Sequence, residues 1–475
     1  MVRTTVSIVT ALLMTAAATA LAGDFDRFFT GATMRLDVSH TGTAGEEHLA
    51  VDRIRVEGEW PGSRTVLEDH SNLGAYLLAV IDPATQRTVY SRGFSSIYGE
   101  WETTAEALAG TWRTFQESYR FPEPRGEVQV VVRKRGADGA FREIFTTLVD
   151  PGSRVVDRAE PATRGEVWEI ASNGPPATKV DLLILGDGYT AGERDRFRAD
   201  VDHAVTAIFS VEPYRSRRTD FNIRAIFTAA SQSGISRPRA GVWRSSPLGL
   251  SNNAFDSERY ILTFANRDLR EVAAQVPYDV LILLANSDQY GGGGIFNLWL
   301  TAAAGSAQFD YLVVHELGHS FAGLADEYYT SETSYEKLPP PDTEPWEPNI
   351  TALEDPAHLK WGDMVAEGTP IPTPWDQERY DAASIAFQKR RRALRAAGAS
   401  EAEMDAYFAE VKAATGPMLA GEPYAGKVGA FEGAGYRAHG LYRPATDCIM
   451  FTRNPHSFCP VCVRAIERVI GMYSR

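Results

Sequence analysis

Hydrophobic and polar positions divide the chain into two stretches with different periods. In residues 34–39, 54–60 and 127–134 apolar and polar side chains alternate, and turn signals such as Pro61-Gly62 and Ala137-Asp138-Gly139 separate the runs. Alternation places apolar side chains on one face of a strand, so residues 23–150 predict a β-sandwich-like domain. A short helical segment is expected between Trp101 and Trp112. Residues 151–176 turn linker-like through Asp150-Pro151-Gly152, Glu160-Pro161-Ala162 and Asn173-Gly174-Pro175-Pro176. The period then changes. Residues 180–185 form a continuous apolar strand, and Thr190 with Glu193 makes a capping box that opens a helix to about Phe209. Residues 221–227 and 280–284 add two strands, so 177–475 predicts an α/β (α+β) domain, with a helical insertion at about 375–414. The glycines of Gly186-Asp187-Gly188 lack a full phosphate-loop fingerprint and read as a strand-to-helix turn.

Composition narrows the classes. A chain of 475 residues with 44% hydrophobic content has material for two or three cores. Met1-Val2-Arg3, the apolar run 6–13 and Ala20-Leu21-Ala22 before Gly23 predict a secretory signal peptide over 1–22, with no lipid-acceptor cysteine after it. No other run is long enough to cross a bilayer, so a secreted or periplasmic protein without stable membrane insertion is expected. A net charge of −14 argues against a nucleic-acid partner, and Lys389-Arg390-Arg391-Arg392 reads as a solvated helix face. His40, His48 and His70 are too scattered for a linear metal motif and read as surface histidines. Cys448, Cys459 and Cys462 predict one disulfide and one leftover thiol, with Cys448 joined to Cys459 or Cys462. A structural zinc site there needs a fourth ligand, for which His456 is the nearby candidate.

The chemistry concentrates in one segment. His315-Glu316-x-x-His319 sits in an apolar, helix-forming run, and histidines four apart share a helix face, so both can reach one metal ion. Glu316 lies beside that metal, where it can take a proton from water. Gly323 ends the helix, and Asp326-Glu327 follows. Asp326 is the first choice as third ligand, with Glu327 as the alternative. In metzincins the corresponding glycine and third ligand come three and six residues after the second histidine; here the intervals are four and seven. Thr446-Asp447-Cys448-Ile449-Met450-Phe451 supplies a methionine-containing turn at Met450. Gly291-Gly292-Gly293-Gly294, leading into Ile295 and Phe296, predicts an edge strand to which a peptide substrate adds, with Gly293, Gly294, Ile295 and Phe296 as contacts.

Several segments, in order, resemble the IgA-peptidase-like family of secreted bacterial zinc metallopeptidases. They are Leu183-Ile184-Leu185-Gly186-Asp187-Gly188-Tyr189-Thr190, the helix running into Ala325-Asp326-Glu327-Tyr328, and Gly429-Ala430-Phe431-Glu432-Gly433-Ala434 with Tyr442-Arg443-Pro444. Cys448-Ile449-Met450 and Phe458-Cys459-Pro460-Val461-Cys462 complete the set. The resemblance covers about 177–475. It implies a metzincin-like catalytic domain behind a β-rich N-terminal domain, and it does not imply immunoglobulin A as the target.

The expected activity is hydrolysis of protein or peptide substrates. His315, His319 and Asp326 would hold Zn2+, and Glu316 would act as general base. Tyr442 is the expected donor to the oxyanion, with Tyr436 as the alternative. Two other readings compete: a secreted binding or adhesion module on an inactive protease scaffold, and a zinc amidase acting on a non-protein amide.

Overall fold

The computed structural model describes residues 24–474, apart from 332–335, 337, 339, 341–342 and 455–456. The signal-peptide segment, His456 and two prolines of the 338–341 stretch therefore lie outside the described residues. No helix among the described residues is long and apolar enough to cross a membrane.

The N-terminal region is built from β1 (Phe29–Gly42), β2 (Glu47–Glu59), β3 (Tyr76–Asp82), β4 (Arg87–Phe94), β5 (Arg113–Pro124), β6 (Val128–Arg135), β7 (Phe141–Val149) and β8 (Val156–Asp157). They form two four-stranded sheets, ordered β5-β1-β2-β8 and β4-β3-β6-β7. The two-residue period carries through into packing: Met34, Leu36 and Val38 of β1 point into one core with Leu78, Val80, Val130 and Val132 of the other sheet. The stretch with linker composition is more ordered than its prolines suggest. It holds β8, which pairs in parallel with β2, and β9 (Glu166–Ala171), which joins the second domain's sheet antiparallel to β11 (Phe221–Phe227). The alternation around Trp168 was the available signal for β9.

The second domain is a mixed α/β unit. β10 (Val180–Asp187), β11, β12 (Val280–Ala285) and β14 (Trp299–Ala303) run parallel, with antiparallel β13 (Gly292–Ile295) and β9 at the edges, in the order β13-β14-β12-β10-β11-β9. The inner strands are buried throughout, as a parallel sheet covered on both faces requires. Asp187 explains the Gly186–Gly188 turn: its buried carboxylate accepts from the backbone of Leu248 and Leu250 and from the Ser246 hydroxyl. The capping box is present at Thr190 and Glu193, ahead of helix α1 (Arg194–Ile208). Helix α2 (Asn266–Ala273) follows, and α3 (Phe309–Ala322) packs on β13 and β14. The insertion forms a helical hairpin, α4 (Gln377–Ala396) and α5 (Glu401–Ala420), around Phe387, Met404, Tyr407 and Phe408. β15 (Phe431–Ala434), β16 (Arg437–Arg443) and α6 (Pro460–Tyr473) complete the chain.

The two domains are welded by buried charge. Arg35 of β1 meets Asp37, Glu57 and, across the interface, Glu271 of α2 at 2.7 Å. Ser95 N–H donates to the Phe296 carbonyl, and the Asn297 amide donates to the Gly93 carbonyl. Breaking a buried pair of this kind costs about 3–5 kcal/mol, so the N-terminal domain is held against the second one in a fixed pose.

Candidate metal centre

Helix α3 ends at Gly323, which adopts a left-handed φ of 62°. The Gly323 and Leu324 N–H groups return to the His319 and Gly318 carbonyls, and the chain doubles back along its own helix. That reversal brings the Leu324 carbonyl 2.6 Å from His319 Nδ1. The turn at Met450 does the same for the other histidine: the Ile449 carbonyl lies 3.0 Å from His315 Nδ1. A carbonyl oxygen only accepts, so each Nδ1 carries a proton and each Nε2 is the atom whose lone pair can go to a metal ion.

Those lone pairs converge. The two Nε2 atoms are 3.1 Å apart, and Asp326 Oδ1 lies 3.2 Å from each. Asp326 Oδ1 is buried and makes no aligned hydrogen bond among the described residues, despite the closeness of both rings. Three acceptors so placed repel one another unless a cation sits among them. Metal–nitrogen bonds of about 2.0–2.1 Å in a tetrahedron put donors roughly 3.3 Å apart, close to what is observed. The same demand for positive charge acts on His319 itself. Burial lowers its pKa, but Asp326, together with Glu316 and the Leu324 carbonyl, more than offsets that and raises it to about 9 where no other cation competes. The residues fit a metal ion.

Around this triad the supports are specific. Glu316, half-buried, faces the same cleft; burial raises its pKa above the ordinary carboxylate value, against the pull of His315 and His319. Tyr436 Oη donates to Asp326 Oδ2, and its ring packs edge-on against Tyr328 at 5.4 Å. Tyr328 Oη in turn accepts from Arg259 at 2.9 Å. Tyr436 has a left-handed φ of 63°, a cost for a bulky residue that marks a position held by its surroundings. Tyr442 stands apart: its backbone pairs with Thr351, and its ring packs on the domain core without lining the cleft. The signal separating the two tyrosines was the Gly433-Ala434-Gly435 hairpin tip that immediately precedes Tyr436. Met450 lies beneath the helix, where a Cβ on Gly318 would meet its sulfur at 3.0 Å.

The cleft holds about 670 Å3 and both domains line it. Glu100, Glu102, Lys134 and Arg135 come from the N-terminal domain and face His315, Glu316 and His319. The 338–348 stretch contributes Trp346 and Glu347. The insertion contributes no described residue, and its Arg390 pairs with Glu410 in solvent.

The glycine run supplies the expected edge strand, and that strand is short. It forms β13 as far as Ile295, then turns through Asn297, at φ 54°, into β14. Gly293, Gly294 and Phe296 line the cleft, whereas Ile295 is buried in the core on the sheet's other face. A Cβ on Gly294 would lie 2.4 Å from the Glu316 carbonyl, so glycine there lets the strand lie on the helix that carries His315 and His319. The outward groups of Gly292 already bond to Arg259 and Ile261, and the Phe296 carbonyl to Ser95. Gly294, between them, is the short stretch of edge that faces outward.

Three expectations about buried polar residues change. The three cysteines are free thiols, with Cys448 and Cys462 sulfurs 3.9 Å apart, so no disulfide is formed. Glu327 points away from the histidines and into that thiol cluster, where its Oε1 accepts from Cys462. His40 is buried, not surface: it stacks on Tyr98 between Glu117 and Glu47.

Comparison with known proteins agrees over most of the chain. A family model described as IgA Peptidase M64 matches residues 168–470, and one described as Peptidase M64 N-terminus matches 24–146. No curated protein matches the chain.

Proposed function

The chain belongs to the IgA peptidase M64 family, and from that premise we propose that it is an exported, zinc-dependent endopeptidase with a metzincin-like catalytic domain. The observation that carries this reading is the triangle of His315 Nε2, His319 Nε2 and Asp326 Oδ1, at 3.1–3.2 Å. A zinc ion held there supplies Lewis-acid polarisation of the scissile carbonyl and makes water a stronger acid at neutral pH. Glu316, beside the triad, takes the proton of the attacking water and passes it to the leaving amine. A raised pKa suits it to both halves of that transfer. Tyr436 donates its one hydroxyl proton to Asp326 in the free cleft, and serves the oxyanion by turning that proton from Asp326 to substrate.

The substrate is an extended protein segment. The cleft crosses between the domains, and acidic and basic side chains of the N-terminal domain form one wall, so that domain takes part in selecting the substrate. Strand addition at β13 is limited to the neighbourhood of Gly294, and side-chain contacts carry most of the recognition.

The test is digestion of a diverse library of extended peptides by the zinc-loaded mature protein, beside Glu316→Gln and a chelated sample. Cuts that disappear in both controls support the reading. A folded, zinc-loaded protein that cuts no peptide but releases amine from a non-protein amide favours amidase chemistry instead.

A further inference from the structure

Adjacent carboxylates leave the chain in opposite directions at Asp326 and Glu327. Behind the cleft, Glu327 is fully buried; its Oε1 accepts from Asn349 at 3.0 Å and from Cys462 at 3.4 Å. Its Oε2 is buried with no hydrogen-bond partner among the described residues. Cys448, Cys459 and Cys462 surround it as buried free thiols. One donor atom from each of these four residues lies within 4.8 Å of every other. The 3.9 Å between Cys448 and Cys462 sulfurs is far beyond the bond of about 2.05 Å in a disulfide. It is close to the roughly 3.8 Å edge of a tetrahedron built on zinc–sulfur bonds of about 2.3 Å.

We propose that Cys448, Cys459, Cys462 and Glu327 form a second, closed metal site that takes zinc in a structural role. Three thiolates and one carboxylate are a donor set that favours zinc over hard cations. Binding releases the thiol protons to solvent and needs no oxidant. The donors carry more negative charge than the ion neutralises, and three features offset the excess. Cys459 N–H donates to Cys448 Sγ at 3.3 Å, and Cys459 caps the positive end of α6. Buried Arg443 acts electrostatically on Glu327.

The site fastens three segments that the cleft depends on. Glu327 follows Asp326 in the chain, and its N–H donates to the Met450 carbonyl at 2.9 Å. Cys448 precedes Ile449, whose carbonyl orients His315. Cys459 and Cys462 anchor the last helix beneath both. The second ion therefore braces a ligand and an orienting carbonyl of the cleft without touching substrate.

Metal content of the full mature protein, purified without chelator, is the test. We expect two zinc ions per chain, one in His319→Ala, and one in Cys462→Ser with the cleft ion retained. Because Cys462→Ser can fail to fold, cobalt substitution of the wild type gives a second readout: a thiolate-to-cobalt charge-transfer band that persists in His319→Ala. A single zinc per chain with no such band overturns the proposal, as does a mass lowered by the hydrogens of a disulfide. Loss of peptidase activity alone bears on the cleft and leaves these readouts intact.

Discussion

His40 and His315 are both buried histidines, yet a carboxylate faces both ring nitrogens of the first and only one of the second. In His40 each ring nitrogen faces a carboxylate, Glu117 at 3.1 Å and Glu47 at 3.2 Å, so both carry protons and the ring is a cation. Burial lowers its pKa, but the two carboxylates more than offset this and lift it to about 9. In His315 and His319 one nitrogen faces a carbonyl, which takes the Nδ1 proton. The two Nε2 atoms turn toward each other and one shared Asp326 oxygen, where a metal ion can replace the proton that Asp326 draws onto His319. Burial alone decides nothing. The partner on each nitrogen decides whether a buried histidine is locked as a charge or keeps one nitrogen that a metal ion can claim.

The largest effects should come from breaking the ligand setting. Asp326→Ala removes the acceptor that completes the triangle, and should lose the cleft metal together with at least about 10^4-fold of kcat/KM. Metal analysis beside a peptide assay checks both. An Asp326→Ala protein that keeps its cleft metal and its rate would sink the assignment. Glu316→Gln separates holding the metal from moving the proton. It should retain metal at wild-type stoichiometry while turnover falls by about 10^2–10^4.

The cation setting predicts a stability effect with a definite sign. A histidine near 6.5 when unfolded and near 9 when folded binds its proton more tightly in the native state. Its contribution is therefore full below about pH 6.5 and is lost as pH rises through about 9, amounting to about 3 kcal/mol. Glu47, lowered despite its own burial by His40 and Lys134, reports the same interaction from the other side and adds no second term. Urea unfolding across this window should show the decline in the wild type and a flatter profile in His40→Gln, with the cleft metal unchanged. Equal slopes in the two proteins would remove His40 as the cause.

The ligand setting was legible in the sequence because spacing encodes it: four residues on a helix bring two imidazoles to one point, and a glycine four further on permits the return. The strands at 180–185 and 221–227 were legible for a similar reason, since a local period reports a local conformation. His40, Glu327 and the cysteine cluster depend on contacts between distant segments. Glu117 and Glu47 reach His40 only through the pairing of β1 with β5 and β2, which no single run of sequence records. Asp326 and Glu327 are one step apart along the chain yet reach different clusters, and direction at that scale is set by backbone torsion. β8 and β9 were obscured by neighbouring prolines whose turns deliver the chain from one sheet to the other.

The smallest effect sharpens the comparison furthest. Tyr436 touches the third acceptor and not the histidines, so it tests whether the carboxylate must be oriented as the imidazoles are. In Tyr436→Phe the carbonyls of Ile449 and Leu324 still fix both tautomers, and metal stoichiometry should stay near wild type. The one proton that Tyr436 gives to Asp326 in the free cleft, and to the oxyanion once substrate is bound, is lost. Turnover should fall by about 10- to 100-fold, mainly in kcat, with KM little changed. Tyr442→Phe, outside the cleft, serves as the control and should lose no rate. If the two variants behave alike, the hydroxyl at 436 has no part in the chemistry and the tie to Asp326 is only packing. A fall in metal affinity with kcat preserved in the loaded enzyme would instead make Tyr436 a positioning residue for the ligand alone.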